Sequence, residues 1–339
     1  MIGQLLENAP QTAGCPMGKR KWTHQTADRI AEVLYEEFAI KVSGTVVRRL
    51  LKEQNYSLKS NRKNLSSGNA PNRDEQFRRI ADLREEFARD NKPIISIDTK
   101  KKELIGQFKN PGRKWEKEPT LVKDHDFRSE ALGIAVPYGV YDVTRNHGML
   151  IVGESADTPE FAVNCVVRWW CEEGCRMYPN ARELLILADS GGSNSARSRV
   201  WKRNLQEQLA NRFGLLVTVA HYPTGASKWN PVEHRMFSEI TKNWAAEPLN
   251  SFETLLNFAA GATTKTGLQI RACRDRQTYE KGQKVSDREM KALNLRQGDS
   301  LPQWNYSIVP KPDPSAVIPH PSTAVSPTAR KPGKAIRMC

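Results

Sequence analysis

The sequence predicts an α/β domain behind a small all-α module, and two patterns carry that prediction. Apolar runs of strand length, such as Ile94-Ile95-Ser96-Ile97 and Leu184-Leu185-Ile186-Leu187-Ala188, alternate with longer segments of helical period. Ahead of them, two short amphipathic stretches of helical spacing lie between residues 23 and 52. At 339 residues the chain can hold one sizeable core plus a smaller module, or two to three small domains. Lys and Arg outnumber Asp and Glu by 52 to 38, a net charge of +14, which favours a polyanionic partner through counterion release. No apolar stretch approaches the ~18 residues of a spanning helix and no basic-then-apolar leader opens the chain, so no membrane role and a cytoplasmic location are expected. Six scattered cysteines in a basic chain of this size argue against a disulfide framework. Cys171 and Cys175 lack two further ligands for zinc, so reduced thiols are expected.

Taken in order, residues 23 to 39 place Ile30, Val33, Leu34 and Phe38 on one helical face, with Thr23 as the expected cap. After a short break, Ser43 to Lys52 opens a second helix at helix-turn-helix spacing. Arg48, Arg49 and Lys52 lie on its basic side, and Lys59, Arg62 and Lys63 follow in a polar stretch suited to phosphate. A plain helical domain with a solvated charged face fits the same pattern. Ser66 to Arg73 reads as a linker and residues 74 to 90 as a connecting helix. The expected divisions are thus 1–65, 66–92, 93–310 and a Pro-rich disordered tail at 311–339.

Within the main domain, Ile94 to Thr99 is a buried strand, and Ile134 to Val143 and Met149 to Gly153 are expected as antiparallel neighbours across a turn. Thr158 to Tyr178 and Ser195 to Phe213 have helical period, and they alternate with strands at Leu184 to Asp189 and Leu215 to His221. Pro231 behind Asn230 then starts another helix. Three early strands followed by alternating helix and strand is the layout of a ribonuclease H-like α/β core.

Three carboxylates stand out in this layout. Asp98 and Asp189 end apolar strands, and Glu233 lies in the first turn of the helix after Pro231. Carboxylates so placed can converge on a pair of hard divalent cations, which suits phosphoryl transfer on nucleic acid. Each also has a plainer reading. Asp98 can stop a strand, with Lys100, Lys101 and Lys102 after it either meeting a DNA backbone or facing solvent. Asp189 can belong to an ordinary strand-to-helix turn, and Asn230-x-x-Glu233 fits a capping box. Asp189-Ser190-Gly191-Gly192 is also similar to the nucleophile segment of trypsin-like proteases, but no matching His and Asp pair lies upstream. His221 and His234 are read as structural, and Trp229 as a core tryptophan rather than a base-stacking one.

The segments Ser96 to Leu104, Pro137 to Asp142, Ala188 to Asn194, Ser227 to Asn230 with Glu233-His234-Arg235, Val285 to Asp287 and Trp304 to Tyr306 together resemble transposases of the ISAzo13 family, bacterial insertion-sequence enzymes of the DDE superfamily. The resemblance covers about residues 21 to 310. It implies a ribonuclease H-like core, a triad at Asp98, Asp189 and Glu233, and two Mg²⁺ ions that Mn²⁺ can replace. It also implies cutting at terminal inverted repeats and joining of the 3′-hydroxyl ends to target DNA by a homo-oligomer on double-stranded DNA. Lys100, Lys101 and Lys228 join the helix-turn-helix cations as expected DNA contacts. Family members carry a further helix-turn-helix ahead of the position of Lys21, so an N-terminally shortened, weakly active copy is expected. Competing expectations are a metal-dependent structure-selective nuclease or resolvase, and a DNA-binding repressor without catalysis.

Overall fold

The computed structural model describes residues 12–14, 21–23, 25–58, 72–226 and 229–311. The chain divides into two compact units, Met1–Leu65 and Ser66–Cys339. The expected contacts Lys59, Arg62, Lys63 and Lys228, the Ser/Gly-rich part of the linker and the Pro-rich tail beyond Lys311 lie outside the described residues.

In the first unit, β1 (Thr12–Gly14) pairs antiparallel with β2 (Lys21–Thr23). Helix α1 (Ala27–Phe38) starts later than the Thr23 cap implied. Thr26 is the cap, its hydroxyl accepting from the Arg29 amide at 3.1 Å. A left-handed Ala39 closes α1, and Ser43 caps α2 (Gly44–Glu53) by accepting from the Val46 amide. The helices pack through Ile30, Ala31, Leu34 and Val47, which turns Arg48, Arg49 and Lys52 to the exposed side of α2. An Arg49–Glu53 pair at 3.7 Å is solvent-exposed and adds little stability.

The second unit is built on one nine-stranded mixed sheet. Its strands are β3 (Ile94–Thr99), β4 (Glu103–Ile105), β5 (Gly133–Asp142), β6 (His147–Gly153), β7 (Glu183–Ala188), β8 (Leu216–His221), β9 (Gln269–Asp275), β10 (Leu295–Gln297) and β11 (Asn305–Ile308). The order is β10-β11-β8-β7-β3-β5-β6-β9, with β4 paired to β5. β5 and β6 are antiparallel neighbours as expected, β5 also pairs antiparallel with β3, and β7 and β8 continue parallel to β3. The central order β6-β5-β3-β7-β8 is the mixed α/β core that the element order predicted. β9 extends it in parallel beyond β6, and β11 extends it antiparallel beyond β8.

Strand side chains alternate between faces, so each strand feeds two cores. Ile95, Ile97, Leu184, Ile186, Val217 and Val219 meet α4 (Pro159–Trp169), which a π-helical turn Trp170–Gly174 prolongs, and α5 (Arg199–Asn204), prolonged by Leu205–Asn211. On the opposite face, Ile94, Leu185 and Leu187 meet Ile80, Leu83 and Phe87 of α3 (Arg73–Arg89). Farther along that face, Tyr141, Leu150 and Val152 meet α6, a π-helical start at Val232–Phe237 running into Ser238–Asn243, and α7 (Phe252–Gly261). Two glycines let α6 lie this close. A Cβ on Gly139 would fall 2.5 Å from Phe237 Cε1, and one on Gly148 would fall 2.7 Å from Met236 Sδ.

A buried amide pair ties the start of this unit to its end. Gln76 Nε2 donates to Asn305 Oδ1 at 2.9 Å, and Asn305 Nδ2 donates back to Gln76 Oε1 at 2.7 Å. Near the C-terminus, Ser286 and Glu289 form a reciprocal capping box on α8 (Asp287–Lys291). Among the described residues, Cys165, Cys171, Cys175 and Cys273 are free thiols. Among the described residues no helix is long and apolar enough to cross a membrane.

Candidate active site

Residues of one parity share a sheet face, so Asp98 follows Ile94 and Ser96 onto the α3/α6 side, and Asp189 follows Leu185 and Leu187 there. The parallel register Ile97↔Ala188 then sets the two aspartates side by side at the carboxyl ends of β3 and β7. In open α/β sheets this is where ligands collect. Glu233 comes to the same place from the first turn of α6 and is hydrogen-bonded to the Asp98 carboxyl.

Electrostatics join the three into one unit. Asp98 is only 8 % exposed. Burial, then the charges of Asp189 and Glu233, push its carboxyl from the usual range up to about 8, against the Thr99 amide that donates to Oδ1 at 2.7 Å. Burial also raises Asp189, while the Gly191 amide at 3.3 Å and Asn194 Nδ2 at 3.1 Å stabilise its charged form. Burial raises Glu233 as well, opposed by the hydrogen bond with Asp98 and by the Lys100 charge. A fourth carboxylate is nearby: Asp157 adds to the load on Asp189 and accepts from Thr99 Oγ1 at 3.2 Å. The donors are all hard oxygens, suited in kind to Mg²⁺ or Mn²⁺. Among the described residues no group of three or more such side chains is already placed to close on a metal ion.

Several side chains were not legible as site residues. Ser96 and Asn230, both fully buried, link β3 to the start of α6. Ser96 Oγ donates to Asn230 Oδ1 at 2.5 Å and accepts from the Val232 amide at 2.9 Å, while Asn230 Nδ2 donates to the Ile97 carbonyl at 3.0 Å. Asn230 therefore spends its side chain on β3, α6 has no side-chain cap, and the capping-box reading of Glu233 is corrected. His221 braces the backbone of Asp189, its Nδ1 lying 2.8 Å from the Asp189 carbonyl and its Nε2 3.1 Å from the Tyr306 hydroxyl. Burial lowers its pKa to about 4, so the imidazole is neutral at physiological pH. Ser190, the serine of the protease-like segment, donates to the Tyr222 carbonyl at 2.8 Å. Trp229 is 53 % exposed rather than buried in the core, with its ring edge toward Phe77 at 6.1 Å between centroids.

A cleft of about 930 Å³ reaches Glu233, with Lys100, Lys101, Lys102, Lys109 and Arg128 in its wall. Lys101 and Lys102 are exposed. Lys100 instead is 9 % exposed, its ammonium 2.6 Å from Glu103 Oε1 and 4.5 Å from the Trp244 ring centre.

The family described as the Rhodopirellula transposase DDE domain matches residues 3–310. Among curated proteins no sequence matches. Solved structures similar to the chain include the Mos1 transposase paired-end complex with left transposon end, 17% identical over 69% of this chain and 65% of that one, at a TM-score of 0.43. The pre-cleavage Mos1 transpososome is 15% identical over 69% and 65%, at 0.44. The mariner Mos1 paired-end complex with Mg is 13% identical over 76% and 78%, at 0.42. The chain thus spans 65% of the length of the first two. Since the family match runs through all the segments that build the carboxylate site, the chain belongs to the ISAzo13 transposases of the DDE superfamily.

Proposed function

We propose that the chain cuts DNA at terminal inverted repeats and joins the freed 3′-hydroxyl ends to target DNA, with Asp98, Asp189 and Glu233 holding two Mg²⁺ ions. The observation that supports this reading most is the crowding of the three carboxylates, which burial and mutual repulsion make costly to ionise without a cation. Divalent ions would supply activation of the attacking oxygen and charge stabilisation at the leaving one, and Mn²⁺ would serve in place of Mg²⁺. The chain's own part is to aim the ligands. The Thr99 amide fixes one oxygen of Asp98, and Gly191 and Asn194 fix one oxygen of Asp189. Lys100 favours the charged form of Glu233.

DNA is led to this point by charge. Lys101 and Lys102, with Lys109 and Arg128 in the same cleft, are suited to phosphate contact. Lys100, held by Glu103, acts on Glu233 more than on the duplex. Recognition of the transposon ends falls to a helix-turn-helix formed by α1 and α2, through Arg48, Arg49 and Lys52 and with Lys59, Arg62, Lys63 and Lys228 adding contacts. A homo-oligomer would bring two ends together, in the compartment that holds the chromosome.

The test is end cleavage on a labelled inverted-repeat duplex. Asp98→Asn, Asp189→Asn and Glu233→Gln should each abolish cutting and leave binding largely intact, because the carboxylates hold ions rather than DNA. Cutting by all three at the unmutated rate would end the proposal.

A further inference from the structure

We propose that Ser96 and Asn230 are positioning residues, a buried hydrogen-bonded splice that holds the first turn of α6 against β3 and so sets the spacing of the Asp98 and Glu233 carboxylates. This role rests on the reading of Glu233 as a metal ligand. It is argued from the donors and acceptors at the helix start. A helix leaves its first amides without internal partners, and Pro231 has none to offer. The Val232 amide goes to Ser96 Oγ at 2.9 Å, and the Glu233 amide goes to the Asn230 carbonyl at 3.0 Å. Ser96 spends its single proton on Asn230 Oδ1, and Asn230 spends an amide proton on the Ile97 carbonyl.

Each bond between β3 and α6 joins a residue one or two positions before Asp98 to a residue one or three positions before Glu233. Ser96 and Ile97 directly precede Asp98, and Asn230 and Val232 flank the approach to Glu233. Packing alone is a looser guide. Val232 and Phe237 lie over Gly139, but such contacts are non-directional and permit a helix to slide or roll. A hydroxyl and an amide with one geometry each do not permit it, since both are fully buried and have no water to turn to. A misplacement of ~1 Å between reacting groups can cost ~100-fold in rate, so a device of this kind has consequences at the site.

The experiment uses the full chain with Mn²⁺ alone as the probe, followed by calorimetry, with circular dichroism and melting recorded for every variant. Ser96→Ala should weaken Mn²⁺ binding by ~10–100-fold, the range for partners that orient a ligand, while the fold and DNA affinity persist. Ser96→Thr keeps the hydroxyl and should restore binding. The double variant Ser96→Ala/Glu233→Gln should bind no more weakly than Glu233→Gln, because the splice acts only through Glu233. Asn230→Ala serves if Ser96→Ala does not fold, with the same expectation. Unchanged Mn²⁺ affinity in a folded Ser96→Ala or Asn230→Ala overturns the splice and leaves the metal reading intact. Undiminished affinity in Glu233→Gln overturns the metal reading itself, and the splice with it.

Discussion

Asp98→Asn should flatten the fall of stability with pH that the carboxylate cluster imposes. In the folded protein the Asp98 carboxyl is pushed from 3.8 to about 8 by burial first and by Asp189 and Glu233 after it. Between those values the folded state keeps a proton that the unfolded chain has lost, so stability falls as pH rises through that window. His221 acts in the opposite sense at lower pH. Its pKa drops from 6.5 to about 4 on burial, so its effect is a gain in stability as pH rises to about 6.5 and nothing beyond. The His221 contribution is therefore over by pH 6.5, and pH 6.5 to 8 is the window in which to read Asp98. A full proton's difference changes stability by ~1.4 kcal/mol per pH unit, which gives at most ~2 kcal/mol across the window. Urea unfolding at a series of pH values should show a loss of that order in the unmutated protein and a nearly flat line in Asp98→Asn. Mg²⁺ at millimolar concentration should flatten the unmutated profile too, since a bound cation favours the charged carboxylates. Equal slopes for the two proteins between pH 6.5 and 8 would refute the argument.

Other expectations follow from the same geometry. Gly139→Ala places a methyl 2.5 Å from Phe237 Cε1 and 2.9 Å from Val232 Cγ2, so α6 should shift, at a cost of ~1–3 kcal/mol measured by denaturant unfolding, and end cleavage should fall with it. An unchanged midpoint would show that α6 repacks freely. Replacing Lys101 and Lys102 with Ala should lower the slope of log affinity against log salt by ~2 in a DNA-binding titration, with Lys100→Ala acting mainly on cleavage because its charge is engaged by Glu103. A full loss of slope from Lys100→Ala alone would reverse that division. Deleting residues 1 to 64 should erase the preference for inverted-repeat over random duplex in competition gel shifts and leave weak, salt-sensitive binding. Equal preference before and after would move recognition into the second unit.

Much of the site was legible because strand ends are legible. The apolar runs before Asp98 and Asp189 are fully buried, with both faces of the sheet covered by helices, and so read as unbroken hydrophobic stretches. The edge strands were not. β9 interleaves Ile270 and Ala272 with Arg271 and Arg274, and β10 and β4 have three residues each, too few for a period to emerge. The bond between Ser96 and Asn230 spans 134 positions, and nothing local distinguishes an asparagine reaching across to a strand from one that caps its own helix. Likewise Lys100, Lys101 and Lys102 look alike in sequence, although one is folded against Glu103 and Trp244 and two face outward. Trp229 misled for a related reason, since a large aromatic ahead of a helix is equally at home in a core or at a surface.

The reciprocal amides of Gln76 and Asn305 set a timetable for synthesis. They are 229 positions apart. At ~5–20 residues per second of translation, Gln76 leaves the peptidyl centre roughly 10–45 s before Asn305 is added. Through that interval helix α3 can settle on the sheet, but its buried amide has neither Asn305 nor the His221 carbonyl, 145 positions on, until those segments arrive. β8 likewise has an unpaired edge until β11 is made, because β11 is its partner on that side. The carboxylates themselves are all present once Glu233 has been added. The growing chain therefore carries its chemistry before its sheet is complete, and among the described residues the last strand to be made is the one that covers the free edge of β8.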